Sequence, residues 1–395
     1  MRRRQTGRGQ HAAQQHAKGT VMNMGALIKP SLALAALWAM ADTAMAVTCT
    51  YNNGIQAAVG NMPLQVSAIT VGRDVPVGAE VYRQRFSMAL GQAPELDCRF
   101  APFQQWTELT VEATSGLANW SSGPYANKVY RTRIPGLGVV INSLGGVLPR
   151  QTNKSWTACT SGSRCLIPFD GPSNFELILI KLGEVTPGVL AGSSLPVVSL
   201  FGNFGDARMQ GFRMGISGSI QIVSRTCSTP DVSVPMGTHL TNKFTGLNSA
   251  TGWTDFSINL NDCPAFHGTY STTGPGWLSQ SGNSPTGVGS GGTLAGNTLQ
   301  FRIDSSRPAI NASTGVLSID PTGTGNSPAA SGVGIQVATL DSTPVPLGMN
   351  RASGINPLSF ESSYNIRLRA RYLQTANRVT PGPANASATF TIIYQ

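Results

Sequence analysis

Apolar and polar residues alternate in short runs along most of the chain, and Gly, Pro, Asn, Asp or Ser separate one run from the next. Glu108-Leu-Thr-Val-Glu112, Asp255-Phe-Ser-Ile-Asn-Leu-Asn261, Thr298-Leu-Gln-Phe-Arg-Ile303 and Gly332-Val-Gly-Ile-Gln-Val-Ala338 carry apolar side chains at every second position. A period of two places those side chains on one face of a strand, so each run predicts a strand with one face in a core and one in water. Leu64–Val71, Leu137–Ile141 and Glu176–Leu182 predict further strands. Helical periodicity is weak throughout, and the chain reads as all-β, with sandwiches as the expected architecture.

One N-terminal segment breaks this pattern. Lys29 is followed by the apolar run Ser31-Leu-Ala-Leu-Ala-Ala-Leu-Trp-Ala-Met40 and then by Ala44-Met45-Ala46. A basic flank, a short apolar centre and small residues at its end predict a secretory signal peptide, so residues 1–46 are set apart from the fold. The run is too short for a membrane-spanning helix, which needs about 20 apolar residues. The remainder has the length of two domains. The expected division is 47–220 and 221–395, with the junction near Gly218–Arg225. Residues 271–297, rich in Gly, Ser, Thr and Pro, read as a long surface loop or paired loops inside the second half.

Composition narrows the functions. The formal net charge is +10, but much of it sits at Arg2, Arg3, Arg4, Arg8, Lys18 and Lys29, and no basic run or stripe follows; nucleic-acid binding has no support. All six cysteines lie beyond residue 46, and in an exported chain they predict disulfides. Sequence order suggests Cys49–Cys98, Cys159–Cys165 and Cys227–Cys263, among the several connectivities that six cysteines allow. His239 and His267 are the histidines left after residue 46, and Cys-x-x-Cys does not occur, so neither a metal site nor a cofactor is expected. A Ser–His–Asp hydrolase lacks a placed base. The alternative function is a secreted carbohydrate-active enzyme with an anchoring domain, using two of Glu95, Asp97, Glu108, Glu112, Asp170 and Glu176. An outer-membrane barrel is disfavoured by the shortness of the strands.

The second half carries an ordered series of motifs: Cys227-Ser-Thr-Pro-Asp-Val-Ser-Val-Pro-Met-Gly237, Phe256-Ser-Ile-Asn-Leu-Asn-Asp-Cys-Pro264, Thr343-Pro-Val-Pro-Leu-Gly348, Tyr364-Asn-Ile-Arg-Leu-Arg-Ala-Arg-Tyr-Leu-Gln-Thr375 and Ser387-Ala-Thr-Phe-Thr-Ile-Ile-Tyr-Gln395. These resemble the pilin domain of chaperone–usher fimbriae over essentially all of 221–395, including a Gly fourteen residues from the end, Gly382, and a penultimate Tyr, Tyr394. The resemblance implies a Cys227–Cys263 disulfide and an immunoglobulin-like sandwich lacking its last strand. It also implies that other chains complete that sheet by strand addition, first a periplasmic chaperone and then an adjacent pilin subunit assembled at an outer-membrane usher. Gly382, Ala388, Phe390, Ile392, Tyr394 and Gln395 are the residues assigned to the donor-strand groove and chaperone contact. In the family, basic chaperone residues hold the terminal carboxylate, here that of Gln395.

In structural pilins a short donor extension precedes the first cysteine of this domain; here a whole domain's length precedes Cys227. That layout resembles the type 3 and type 1 fimbrial tip adhesins. It implies a protein secreted through the periplasm to the cell surface and placed at the fimbrial tip, with residues 47–220 as a lectin-like receptor-binding domain for a host glycan or an extracellular-matrix protein. Sugar sites combine an aromatic platform with amide or carboxylate partners, which makes Trp106, Trp120, Tyr125, Asn127 and Trp156 the ligand-binding candidates, with Asn119 and Asn153 beside them.

Overall fold

The computed structural model describes residues 46–395 apart from 53, 90–93, 100–101, 114, 144–145, 158–163, 169–173 and 281–285. Among the described residues the regular structure is strands and three single-turn 3-10 helices, Gly123–Tyr125, Gly192–Ser194 and Thr241–Lys243.

Two sheets face each other in the first half. One has the order Arg150–Gln151, Phe103–Glu112, Val197–Phe204, Ala207–Ser217, Ala58–Pro63, with Ser155–Thr157 also on Phe103–Glu112. The other runs through Glu80–Met88, Asn174–Lys181, Leu137–Ser143 and Tyr130–Arg131. Phe175 shows how they join: its ring stacks on Phe86 of its own sheet at 5.1 Å and on Phe212 of the opposite sheet at 6.4 Å. The near-continuous apolar run of Asn174–Lys181 has a matching cause. Leu177 and Leu179 enter the main core, while Ile178 and Ile180 lie in a second small cluster with Val129 and Val140, against which Trp120 and Tyr125 pack. Burial on both faces removes the need for alternation.

The second half has its own core. Thr254–Cys263, Ser362–Gln374, Val333–Thr339 and Val316–Leu317 form one sheet, and Arg351–Ala352, Leu299–Ser305 and Ala388–Tyr394 form the other. Ile258, Leu260, Phe301, Ile303, Val337, Leu368 and Tyr394 fill the space between them. The two cores part between Ile222, which belongs to the first, and Cys227, which belongs to the second. The disulfides Cys49–Cys98 and Cys227–Cys263 are present as expected. The third expected pair falls on Cys159, outside the described residues; Cys165 stands opposite Cys98 in its ladder.

One expectation is overturned. The described residues of 271–297 are largely strands rather than a loop: Thr269–Thr273, Gly276–Ser279, Gly287–Ser290 and Thr293–Ala295 are strands, and Gly276–Ser279 pairs in parallel with Arg85–Met88 of the first half. Tyr270 and Trp277 pack on the first core, with Tyr270 edge-on to Tyr82 at 6.3 Å. The small residues that suggested a loop serve close packing. A Cβ at Gly274 would stand 1.8 Å from the Arg83 carbonyl oxygen, so only Gly lets the two backbones meet there.

Candidate functional site

The structure divides the five aromatic and amide candidates between two faces. Trp156 lies opposite Gln104 in the ladder with Phe103–Glu112, and Gln104 and Trp106 are two residues apart, so both indoles project from one face. Trp156 is 69 % exposed. Lys154 Nζ sits 4.4 Å from the centre of the Trp106 ring, and Trp106 Nε1 donates to Glu108 Oε1 at 3.3 Å. Glu108 also pairs with Arg208 at 3.2 Å, and the Arg208 guanidinium lies 3.5 Å over the Phe201 ring. Asn203, opposite both Trp106 and Arg208, completes the face. Partial burial works against the Glu108 charge, but the hydrogen bonds from Trp106 and Arg208 outweigh it and hold the carboxyl below its usual range. Two flat π surfaces bordered by fixed cations, a carboxylate and an amide are the components with which a protein grips a polar, partly apolar ligand.

Trp120, Tyr125 and Asn127 lie on the other sheet. The Trp120 ring covers Gly78, and Tyr125 donates its hydroxyl to Glu80 Oε1 at 2.7 Å. Burial, followed by the neighbouring Glu80 carboxylate, pushes the Tyr125 hydroxyl up to about 12. Asn127 adopts φ 58° and its N–H donates to the Trp120 carbonyl at 2.7 Å, closing a turn. Trp120 and Tyr125 pack on the small second cluster, and the Asn127 turn holds Trp120 there. Among the carboxylates considered for catalysis, Asp97 faces Arg164 at 2.9 Å, Glu112 faces Arg213 at 2.8 Å and Glu176 faces Arg83 at 3.8 Å. Hydrogen bonds from those arginines hold Asp97 and Glu112 low, the opposite of what a general acid needs. Asp170 lies outside the described residues.

A groove of about 820 Å³ runs along the second half. Its floor is Phe256, Ile258, Ile303, Leu317, Ile335, Val337, Ala370 and Tyr372, from both sheets of the sandwich. One rail is Ala384–Ala388 with Phe390; the other is Asp231–Gly237, an extended segment that joins no ladder among the described residues. Of the residues assigned to this groove from sequence, Ala388 and Phe390 line it. Ile392 and Tyr394 lie beyond it in the core, where Tyr394 Oη accepts the Cys227 N–H at 3.1 Å. Gln395 exchanges backbone hydrogen bonds with Thr298. Gly382 stands where its chain crosses residues 328–330: a Cβ there would be 2.3 Å from the Pro328 carbonyl oxygen. The far rail and the mixed floor were not assigned from sequence, because they come together only through the packing of two sheets.

The fimbrial protein family matches residues 214–395. A fimbria adhesin protein of Klebsiella pneumoniae is 27% identical over 363 residues, 91% of this chain and 97% of that protein. A type 1 fimbrial subunit of Salmonella typhimurium is 31% identical over 181 residues, 44% of this chain and 79% of the subunit. Among solved structures, the receptor-binding domain of a plasmid-borne adhesin of Klebsiella pneumoniae aligns with a TM-score of 0.33 and 23% identity, over 46% of this chain and 98% of that domain. The chain belongs to the fimbrial protein family, in which it is an adhesin.

Proposed function

We propose that this adhesin caps a fimbria, holding a receptor with its first half while its second half is completed by a strand from another chain. The observation that carries the reading is the open side of Ala388–Phe390. This strand pairs with Leu299–Ser305 on one side, and its other side borders an apolar groove whose far rail offers no ladder. Such an edge aggregates unless covered, and an extended segment with alternating side chains supplies both the missing hydrogen bonds and the apolar filling. The occupant is an extended segment of another fimbrial protein: a periplasmic chaperone first, then the adjacent pilin subunit after delivery to the outer-membrane usher. In this reading the protein passes through the periplasm and sits at the fimbrial tip, its receptor-binding first half outermost where a structural pilin carries a donor strand.

The test is production of residues 47–395 alone, with a chaperone, or with a strand of alternating Thr and Ile joined to Gln395 by a flexible Gly-Ser tether. Both additions should raise soluble yield, and the tethered strand should raise Tm by several degrees; equal yield and Tm in all three would refute the reading. On the receptor side, the Trp106–Trp156 face is the proposed contact for a glycan or matrix protein. Trp156→Ala should abolish retention on a glycan and matrix-protein array without lowering Tm, since the ring is exposed. Trp120→Ala should lower Tm by the loss of a half-buried aromatic and leave retention of the folded protein intact.

A further inference from the structure

The terminal strand Ala388–Tyr394 offers only part of its free edge. Thr298 and Gln395 exchange both backbone hydrogen bonds, at 2.7 and 3.0 Å. In an antiparallel ladder the next residue's N–H and C=O then point the other way, so Tyr394, Ile392, Phe390 and Ala388 turn theirs away from Leu299–Ser305. At the Tyr394 end these groups are already taken by the first half of the molecule. Asp74 N–H donates to the Tyr394 carbonyl at 3.0 Å, and Tyr394 N–H donates to Asp74 Oδ2 at 2.9 Å. Arg73 donates through a guanidinium nitrogen to the Ile392 carbonyl at 3.0 Å and lies 5.6 Å from the centre of the Tyr394 ring. Among the described residues nothing bonds the edge groups of Phe390 and Ala388.

The turn that does this is fixed in place. A Cβ at Gly72 would stand 2.3 Å from the Tyr394 carbonyl oxygen, so glycine is what lets the turn approach the strand. From behind, Lys181 Nζ donates to the Gly72 carbonyl at 3.0 Å and to the Arg73 carbonyl at 2.5 Å. Lys181 is 3 % exposed and pairs with Leu137 in the sheet of the first half. The turn is thus bolted to the receptor-side sandwich and imitates one residue of a neighbouring strand.

We infer that the Gly72–Asp74 turn is a stop for strand addition, ending the usable edge at Phe390 and so fixing the register at which a donated strand seats. This inference rests on the groove reading above and adds to it where the strand ends and which residues end it. A strand that continued to Tyr394 would meet four edge groups, the N–H and C=O of Ile392 and of Tyr394. Three of them are already bonded by the turn, two through charge-assisted and therefore stronger bonds, so the strand would replace those three with neutral ones and add one, to the Ile392 N–H. Stopping at Phe390 keeps the turn's three. The consequence is that the half carrying the receptor face also dictates how the other half joins its neighbour.

Hydrogen exchange resolved residue by residue by NMR tests this on the chain with the tethered Thr/Ile strand and on the chain without it. In the native sequence the strand should slow exchange of the Phe390 amide on the order of tenfold or more, the effect of one added hydrogen bond in a dry site. The Tyr394 amide should be protected equally with and without it. In Gly72→Ala the Tyr394 amide should exchange faster on the order of tenfold or more without the strand and regain protection with it, as the register extends past the displaced turn. Asp74→Ala, which leaves the turn's glycine in place, gives the same comparison if Gly72→Ala does not fold. If the tethered strand protects Phe390 but speeds exchange of the Asp74 amide, which donates to the Tyr394 carbonyl, the strand has displaced the turn and the stop is refuted. If Phe390 is unaffected by the strand, the groove reading itself fails, and the stop with it.

Discussion

The molecule closes one sheet edge with its own chain and leaves another unfinished. The strand Glu80–Met88 would end the first half's second sheet, but Gly276–Ser279 pairs along Arg85–Met88 and Gly287–Ser290 extends the sheet by one strand more. The strand Ala388–Tyr394 has Leu299–Ser305 on one side and, from Phe390 back to Ala388, an apolar groove on the other. Both edges carry the same hazard of unpaired backbone beside apolar side chains. They differ in who covers them. Where the covering strand comes from the same chain, closure is permanent and the composition can be mostly Gly, Ser and Thr, because two backbones held close contribute as much as side chains. Where another chain must cover the edge, the floor is made of large apolar residues, which give an incoming strand something to bury.

The comparison breaks most directly by opening the closed edge. Replacing residues 274–292 by a short Gly-Ser turn should expose Arg85–Met88 and strip Trp277 from the first core, giving aggregation on expression, read as loss of soluble protein. Trp277→Ala is the milder form. It should destabilise the chain by about 2–3 kcal/mol in urea unfolding, somewhat below the cost for a fully buried aromatic because Trp277 is partly exposed. Full solubility and an unchanged midpoint in both would show that the hairpin merely rests on the sheet. The two edges should not be interchangeable either: the tethered Thr/Ile strand, which stabilises the parent chain, should fail to rescue the 274–292 replacement.

The same contrast explains what could be read from sequence. Thr254–Cys263, Leu299–Ser305, Val333–Thr339, Ser362–Gln374 and Ala388–Tyr394 were all visible as alternating runs, because each lies between a core and water and its own side chains record that position. The Gly276–Ser279 strand left no such record. Gly276-Trp-Leu-Ser279 is short, and what makes it a strand is the edge it meets, 191 residues earlier at each pair of the register. Site residues follow the same rule. Phe390 and Ala388 were legible from the terminal alternation. Arg73 and Asp74 were not, since their partners Ile392 and Tyr394 lie more than three hundred residues away. That Trp106 and Trp156 share a face depends on Trp156 pairing with Gln104, a register no local pattern records.

The smallest expected effect bears on how dry each edge is, and two tyrosines report it. Tyr82 lies at the closed edge and Tyr394 at the end of the open one; burial raises the hydroxyl pKa of both, and the rise is large for Tyr82. For a group whose pKa is raised on folding, its contribution is fully present below the unfolded value, about 10 for tyrosine, and is lost as pH climbs through the folded value. At neutral pH Tyr394→Phe should cost about 1 kcal/mol, because the buried Cys227 N–H loses its acceptor. That deficit should shrink above about pH 10, where the native chain pays for keeping Tyr394 protonated and the variant does not. The Tyr82→Phe deficit should shrink more steeply over the same range, in keeping with its greater burial. The tethered strand adds the discriminating arm. If the Gly72–Asp74 turn already seals the Tyr394 end of the groove, seating a strand against Phe390 leaves the alkaline behaviour of the Tyr394→Phe pair unchanged. If the strand reaches Tyr394, the hydroxyl becomes drier and the deficit shrinks faster with pH than it does in the chain without the strand.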